Sequence, residues 1–205
     1  LKRLTLRQDI LGFEAVGRLD FEDGFCSGAL IAPDLVLTAA HCLIDRTTGE
    51  RIDPRVATFR AGYRDGAAIA ERKGSRAVVH PDYRHDSADF LGHLTTDVAL
   101  LQLAQPIPSA TASPFAVAPP PGKGSAVSVV SYAHDRSTAP SWQRRCEVEQ
   151  QGWGAVQVSC QSTFGASGAP IFDMQTGRPR IVSLISGATV HEERTLVWGM
   201  DVAAP

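Results

Sequence analysis

The sequence of 205 residues predicts an all-β protein that is built in two halves. Short segments in which apolar and polar residues alternate recur about a dozen times, whereas the period of an amphipathic helix is almost absent. Midway along the chain, residues 105–124 contain six prolines among small residues, which is typical of an extended connector. We therefore expect one β domain at residues 1–105 and a second at residues 106–205, which includes most of the connector.

The first half predicts a series of strands and hairpins. Residues 15–21 alternate between apolar and polar side chains, as a half-buried strand does. Residues 25–42 contain two apolar runs around a turn at Pro33-Asp34, and this hairpin ends at His41. Further strands are predicted at residues 56–61, 76–81 and 97–103.

The second half continues in the same manner. Residues 126–132 predict a strand, and residues 146–150 and 156–160 predict a hairpin with a cysteine at each open end. Strands are then expected at residues 169–172 and 180–187. The last apolar segment, residues 196–200, is expected to pair with the strand at 180–187.

Composition excludes several classes of partner. The sequence is 43% hydrophobic and 20% charged, as in ordinary globular proteins, and its net charge of −2 attracts neither nucleic acid nor anionic membranes. No apolar run approaches the roughly 18 residues of a membrane span, and the chain starts at Leu1 without a signal-like segment. We expect a monomer with no nucleic-acid partner, no membrane partner and no targeting signal in this chain.

The four cysteines fall into two local pairs, whose members are 16 and 14 positions apart. Four cysteines allow three connectivities, and the short C-x-x-C spacing of a zinc site is absent. We favour the bridges Cys26–Cys42 and Cys146–Cys160, each of which would stabilise the fold by about 3 kcal/mol. Persistent bridges indicate an oxidising compartment, so the protein is expected to be secreted or periplasmic.

Three polar residues have both a structural and a catalytic interpretation. Ser167, between Gly165 and Gly168, fits a surface turn or an exposed nucleophile beside backbone N–H donors. His41 fits a half-buried structural histidine or a general base. Asp97 begins an almost wholly apolar strand, where it would cap a turn or orient an imidazole.

A metal site is the less favoured interpretation of a second group of polar residues. Histidines and acids are close in this stretch, but neither their spacing nor the strand context imposes a common centre. We expect no metal and no cofactor. The residues are His80, Asp82, His85, Asp86, Asp89 and His93.

Three motifs in order resemble the chymotrypsin and trypsin family of serine peptidases. Residues 38–42 read T-A-A-H-C, residues 97–101 read D-V-A-L-L, and residues 165–170 read G-A-S-G-A-P. His41 lies 56 positions before Asp97, which lies 70 before Ser167, with the proline-rich connector in between. Residues 79–83, V-H-P-D-Y, are similar to the approach to the family's aspartate, which makes His80 structural. The short second half and the hairpin bridge before the serine are more similar to the bacterial trypsin-like and glutamyl-endopeptidase-like branch.

The resemblance implies a fold and a mechanism. The fold would be two antiparallel six-stranded β-barrels with the active site in the cleft between them. His41, Asp97 and Ser167 would form the triad, the N–H groups of Gly165 and Ser167 the oxyanion hole, and Ser186 would hydrogen-bond Asp97. The expected activity is that of a secreted serine endopeptidase, which cleaves a polypeptide substrate through an acyl-enzyme.

The sequence departs from the family pattern in two places. Ala166 stands where most animal members have an aspartate that pairs with the freshly cleaved amino terminus, and Leu1-Lys2-Arg3 differs from their I-V-G-G start. We expect local packing to shape the oxyanion hole here, with the Cys146–Cys160 hairpin as the candidate. Lengthening the chain before Leu1 should therefore leave turnover nearly unchanged.

The predicted primary pocket contains no acid to select Lys or Arg. Counting back from the serine places Gln161 near its base, and a solvated loop position is the favoured interpretation of His191, which would otherwise select an acidic residue. The wall of the pocket would be Ile185, Ser186, Gly187, Ala188 and Thr189.

Two other functions stay open at this stage. The fold could serve as a binding protein without turnover, or the same triad could act as an esterase on small substrates. An α/β-hydrolase is disfavoured, because its residues follow the order serine, acid, histidine on a parallel sheet.

Overall fold

The computed structural model describes residues 1–191 and 194–203, without the side chains of residues 190, 191 and 194. The regular structure of the described residues is mainly β-strand, as expected, and includes one short α-helix, α1 (Phe90–Thr96). No described helix has the length and apolar character needed to cross a membrane. The strands are β1 Lys2–Arg3, β2 Val16–Phe21, β3 Gly24–Ala32, β4 Leu35–Thr38, β5 Thr58–Ala61, β6 Ala70–Val79, β7 Ala99–Leu103, β8 Ala116–Val117, β9 Ala126–Ser131, β10 Ser141–Gly152, β11 Ala155–Val158, β12 Pro170–Asp173, β13 Arg180–Leu184, β14 Gly187–His191 and β15 Arg194–Met200. Four 3-10 helices span Arg7–Ile10, Ala40–Leu43, Pro54–Val56 and His134–Arg136.

The first half forms a closed barrel of six strands in the order β2-β3-β4-β7-β6-β5. All of its strand pairs are antiparallel, and the pairing of β2 with β5 closes the barrel. Leu19, Leu30, Phe59 and Leu101 are fully buried. Because alternate side chains point to opposite faces of a strand, one apolar set from each strand fills the interior.

The second half forms a nine-stranded sheet. Its order is β14-β15-β11-β10-β9-β12-β13-β8, with β1 added to β10. The sheet is mixed, because β8 pairs in parallel with β13. A single bridge between Ser183 and Asp201 connects β13 to the residue that follows β15. The expectation of two closed six-stranded barrels is therefore met only in the first half of the described chain.

The end of the chain pairs differently from the prediction. β15 pairs with β11 and with β14, and it meets the predicted partner strand at 180–187 only at its end, where Gly187 pairs with Trp198 and the Ser186 N–H donates to the Trp198 carbonyl at 2.9 Å. The chain turns after β13 and forms a hairpin with β15 instead, so that residues 187–191 are a separate strand. An apolar segment specifies that it has a partner but does not specify which strand that partner is.

The two halves share one hydrophobic cluster. Tyr132, Phe172 and Met200 of the second half belong to the same buried cluster as the barrel residues. The connector also contributes, since Phe115 donates its N–H to Leu30 at 2.9 Å and its ring lies 4.7 Å from that of Phe172. The proline-rich segment is thus a packed part of the fold rather than a free linker.

Both expected disulfides are present. Cys26 in β3 is bonded to Cys42 beyond β4, with their Cα atoms 6.2 Å apart. Cys146 in β10 is bonded to Cys160, two residues beyond β11, with 5.1 Å between their Cα atoms. The first bridge lies next to His41, and the second joins the open ends of a hairpin.

Candidate active site

His41 lies in the 3-10 turn Ala40–Leu43, three residues past the end of β4. The sequence placed it at the end of the strand itself, but the chain leaves the ladder at Thr38 before the turn forms. The adjacent Cys42 is bonded to Cys26, so the turn is tied to the neighbouring strand. The histidine is therefore held from two sides, by its own strand and by the bridge.

Asp97 accepts three hydrogen bonds in a fully buried position. It lies between α1, whose helical character the sequence did not reveal, and β7. Its carboxylate accepts from the His41 N–H at 2.8 Å, from the His41 Nδ1 at 2.7 Å and from the Ser186 hydroxyl. Several donors are what a buried carboxylate requires, because it has lost its contact with water. The bond to Nδ1 leaves the Nε2 atom of His41 free to act as an acceptor.

The negative charge of Asp97 also acts on its apolar surroundings. Tyr83 is buried in a small cluster with Ala40 and Leu43 beneath the histidine turn. Burial raises the pKa of Tyr83, and the nearby carboxylate of Asp97 raises it further. The Tyr83 phenol therefore stays neutral and packs as an apolar support for the turn.

Ser167 faces the same cleft as His41. This cleft has a volume of about 470 Å³, and both halves of the chain contribute to its walls, with Phe25 and His41 from the barrel and His134 and Ser167 from the second half. Within the described residues, the Ser167 hydroxyl makes no hydrogen bond to His41. Such contacts are commonly loose without substrate.

The backbone N–H groups around Ser167 are used unequally. Those of Ala166 and Gly168 donate to carbonyl oxygens at 3.1 and 2.7 Å. Within the part of the chain that the structure describes, no acceptor takes the N–H of Gly165 or that of Ser167. These are the two groups that the resemblance implied as oxyanion donors. Two unused donors in one turn suit a ligand oxygen.

The carbonyl groups of the same turn are all occupied. Those of residues 164 to 167 accept, in order, from the His134 N–H (2.8 Å), the Ser27 hydroxyl (3.1 Å), the Ala169 N–H (2.9 Å) and the Ser27 N–H (2.8 Å). Because C=O and N–H point in opposite directions across a trans peptide, each bonded carbonyl also fixes the direction of the next N–H. The turn therefore holds its two unused N–H groups in set directions.

Two glycines allow the turn to approach the barrel. Gly165 has a φ of 90° and Gly168 one of 74°, a region that other residues rarely adopt. A Cβ atom on Gly165 would lie 2.6 Å from the Phe25 ring, and one on Gly168 would lie 2.4 Å from the Ser27 carbonyl oxygen. Glycine is required at both positions for conformation and for space.

The residues predicted to form the primary pocket do not line the described cleft. Gln161 is exposed, and its backbone is bonded to the Gln143 side chain at 2.7 and 2.6 Å. Ile185 is buried, and Ser186 is bonded to Asp97. The remaining three lie on the exposed strand β14 and are Gly187, Ala188 and Thr189. The Thr189 hydroxyl accepts from the Trp198 indole N–H at 3.0 Å. The side chain of His191 lies outside the described residues.

The histidines of the metal interpretation are bonded locally. His80 accepts from the Asp82 N–H at 3.2 Å, and His93 contacts the Arg84 carbonyl at 3.1 Å. The described residues bring together another trio, Cys26, His41 and Cys42, within 4.8 Å. Both of its sulfur atoms are in the disulfide, which removes them as metal ligands.

Sequence reasoning missed Ser27, Phe25 and His134. Ser27 is fully buried and bonds to the turn of residues 164–168, which we call the nucleophile turn because it carries the candidate nucleophile Ser167. The ring of Phe25 stacks on that of His134, with 4.8 Å between their centroids. Phe25 and Ser27 are the two neighbours of Cys26, and this was the only sequence signal for them. His134 had no such signal. Their contacts join segments more than 100 positions apart, which no local pattern reports.

A closed six-stranded barrel with a His–Asp pair whose carboxylate is fully buried, together with a serine in a glycine-containing turn of the second half, defines the class of trypsin-like β-proteins. The chain belongs to the trypsin-like peptidase domain family, whose model matches residues 26–180.

Individual relatives agree with this family. A glutamyl endopeptidase of Bacillus licheniformis is 24% identical over 170 residues, which cover 81% of this chain and 51% of that protein. Serine protease 23 of Rattus norvegicus is 27% identical over 186 residues, covering 79% of this chain and 48% of the relative. The chain thus spans about half the length of these curated relatives.

Solved structures share the fold. A Glu endopeptidase superposes with a TM-score of 0.77 at 18% identity, over 92% of this chain and 85% of that chain. A thermostable serine protease from an extremophilic microorganism gives a TM-score of 0.72 at 18% identity, over 92% of this chain and 91% of the other.

Proposed function

We propose that this protein is a serine endopeptidase that cleaves polypeptides through the triad His41, Asp97 and Ser167. The observation that carries the proposal is the pair of N–H groups, of Gly165 and Ser167, to which the described residues offer no acceptor, beside a serine that shares its cleft with the hydrogen-bonded pair of His41 and Asp97. A nucleophile, a base and an oxyanion site are the three parts that acyl transfer requires.

The first half of the reaction forms an acyl-enzyme. Nε2 of His41 takes the hydroxyl proton of Ser167 as its oxygen attacks the scissile carbonyl carbon. Asp97 keeps the imidazole in the required tautomer and stabilises its positive charge. The carbonyl oxygen gains negative charge, and the N–H groups of Gly165 and Ser167 stabilise it by roughly 3 kcal/mol for each donor.

The second half releases both products. His41 returns the proton to the leaving amine as the peptide bond breaks, and an ester between Ser167 and the acyl group remains. His41 then takes a proton from a water molecule that attacks this ester. As the second tetrahedral adduct breaks down, His41 returns this proton to the Ser167 oxygen, which frees a carboxylic acid and restores the hydroxyl of Ser167.

The setting proposed for this activity is an oxidising compartment, outside the cell or in the periplasm. Two disulfides support it, because such bridges persist in oxidising surroundings. We also propose that the chain divides near residue 105, with the site in the cleft between a barrel and a barrel-like second half. Ala166, a buried alanine, leaves the oxyanion turn to be held by neighbouring backbone and side chains.

A fluorophosphonate probe tests the proposal. The wild type should be labelled on Ser167, and Ser167→Ala should be neither labelled nor active. A peptide library in which the residue before the scissile bond is varied over all amino acids then identifies the preference of the pocket. Glu is included because two similar proteins are glutamyl endopeptidases. Hydrolysis of small esters with no cleavage in the library would favour an esterase, and absence of labelling would favour a binding protein.

A further inference from the structure

Ser27 makes three hydrogen bonds to two separate parts of the active-site region. It follows Cys26 in β3, and its side chain is fully buried. Its N–H donates to the Ser167 carbonyl at 2.8 Å, and its hydroxyl donates to the Gly165 carbonyl at 3.1 Å. The same hydroxyl accepts from the N–H of Tyr132 at 3.1 Å. One residue of the barrel thus joins the nucleophile turn to the end of β9.

Both hydrogen-bonding functions of the Ser27 hydroxyl are in use. A hydroxyl has one proton to donate, and here Gly165 receives it, while the Tyr132 N–H occupies a lone pair. The hydroxyl is therefore fixed in direction as well as position. Its own carbonyl accepts from the Thr38 hydroxyl at 2.9 Å, which ties Ser27 to the strand that leads to His41.

The two carbonyls that Ser27 holds are on either side of the peptide that carries the Ser167 N–H. The carbonyl of Gly165 belongs to the preceding peptide, and the carbonyl of Ser167 belongs to the following one. Gly165, with its φ of 90°, has no Cβ to restrict rotation between the peptide that carries its own N–H and the peptide whose carbonyl the Ser27 hydroxyl holds. Hydrogen bonds must supply the restriction that a side chain would otherwise give.

We propose that Ser27 is a positioning residue of the catalytic site, whose hydroxyl keeps the oxyanion N–H groups of Gly165 and Ser167 aimed into the cleft. Ala166 is buried and apolar, and it offers no charge to hold the turn from beneath. The barrel holds the turn instead, through the neutral hydroxyl of Ser27, which donates to the Gly165 carbonyl. Preorganised donors matter most in the transition state, when the oxyanion forms.

Replacement of Ser27 by alanine tests this role. The substitution should lower kcat by about 10- to 100-fold, because small displacements of catalytic groups cost that much. KM should stay within about twofold, since the ground state does not use the hole fully. The inhibition constant of a peptide boronic acid, whose tetrahedral adduct with Ser167 places an oxygen at the hole, should rise by about the same factor as kcat falls.

Ser128→Ala is the matched control. Ser128 is also fully buried, its hydroxyl donates to the Gln143 carbonyl at 2.9 Å, and it accepts from the Trp142 indole N–H. Each variant therefore removes one buried hydroxyl with one donor and one acceptor partner, and both should lose stability. Ser128→Ala should keep kcat and boronate affinity, measured below both unfolding midpoints.

The outcomes separate this inference from the proposed function on which it rests. A wild type that neither cleaves peptides nor reacts with a fluorophosphonate overturns both. An active wild type with unchanged kcat and boronate affinity in Ser27→Ala overturns only the role of Ser27, as does an equal loss in Ser128→Ala. If Ser27→Ala does not fold, Ser27→Thr, which keeps the hydroxyl, tests the inference instead. A kcat and a boronate affinity equal to those of the wild type support the inference. A folded Ser27→Thr variant in which both are reduced contradicts it.

Discussion

The proposed acid–base pair, His41 and Asp97, and the turn that carries Ser167 are held by different means. His41 and Asp97 belong to the closed barrel and are bonded directly to each other, with a disulfide next to the histidine. Ser167 lies in a turn of the second half, and its orientation depends on backbone bonds from distant segments, mainly Ser27 and His134. The first region should therefore respond to changes of charge and chemistry. The second should respond to changes of position.

Asp97→Asn should have the largest effect, a fall in kcat of about 10⁴-fold. The amide would offer an N–H to Nδ1 of His41, which favours the wrong tautomer and removes the stabilising charge. The chain should still fold, since the amide has nearly the same volume. Kinetics with a peptide substrate and a thermal unfolding curve measure both quantities. A loss below about tenfold would mean that the pair does not act as proposed.

Removal of each disulfide compares the two regions directly. The bridges close loops of similar length, with sequence separations of 16 and 14, so either pair of Cys→Ala substitutions should cost about 3 kcal/mol. Loss of Cys26–Cys42 should also lower kcat by about tenfold, because it frees the turn of His41. Loss of Cys146–Cys160 should leave kcat within about twofold.

The kcat values of the two double Cys→Ala variants are compared at a temperature well below both unfolding midpoints. Mass spectrometry confirms that neither variant contains a free thiol. Equal kcat values in the two double variants would show that the bridge beside His41 contributes stability alone.

Tyr132→Phe should have the smallest effect and concerns the contact between the halves. The fully buried phenol donates to the Tyr63 carbonyl of the barrel at 3.0 Å, a bond that stabilises the fold by about 1 kcal/mol. Burial raises the pKa of Tyr132, so the folded protein keeps the phenol neutral while the unfolded chain ionises it above about pH 10. The stability that this difference contributes is complete below pH 10 and is lost as pH rises.

Urea unfolding between pH 8 and pH 11 tests this prediction. The variant should be less stable than the wild type at pH 8 and should lose less stability on the alkaline side, with kcat unchanged. Parallel pH curves for the two proteins would contradict the assigned role of the buried phenol.

Much of the candidate site follows from local chemistry. His41, Asp97 and Ser167 were recognised because each lies in a short motif, and the cysteine pairing followed from spacing alone. The barrel strands were recognised because alternation is a local property, visible within five or six residues. The helix before Asp97 was missed because seven residues are too few to show a helical period.

The sequence by itself determined the fold class and the residues of the candidate site, because motifs and alternation are written in neighbouring residues. Only the tertiary structure decided how β15 pairs, that the proline-rich segment packs into the core, and that Ser27 bonds the nucleophile turn. Those features depend on contacts between residues far apart in the chain, whose partners are selected by packing and by the need to satisfy buried polar groups.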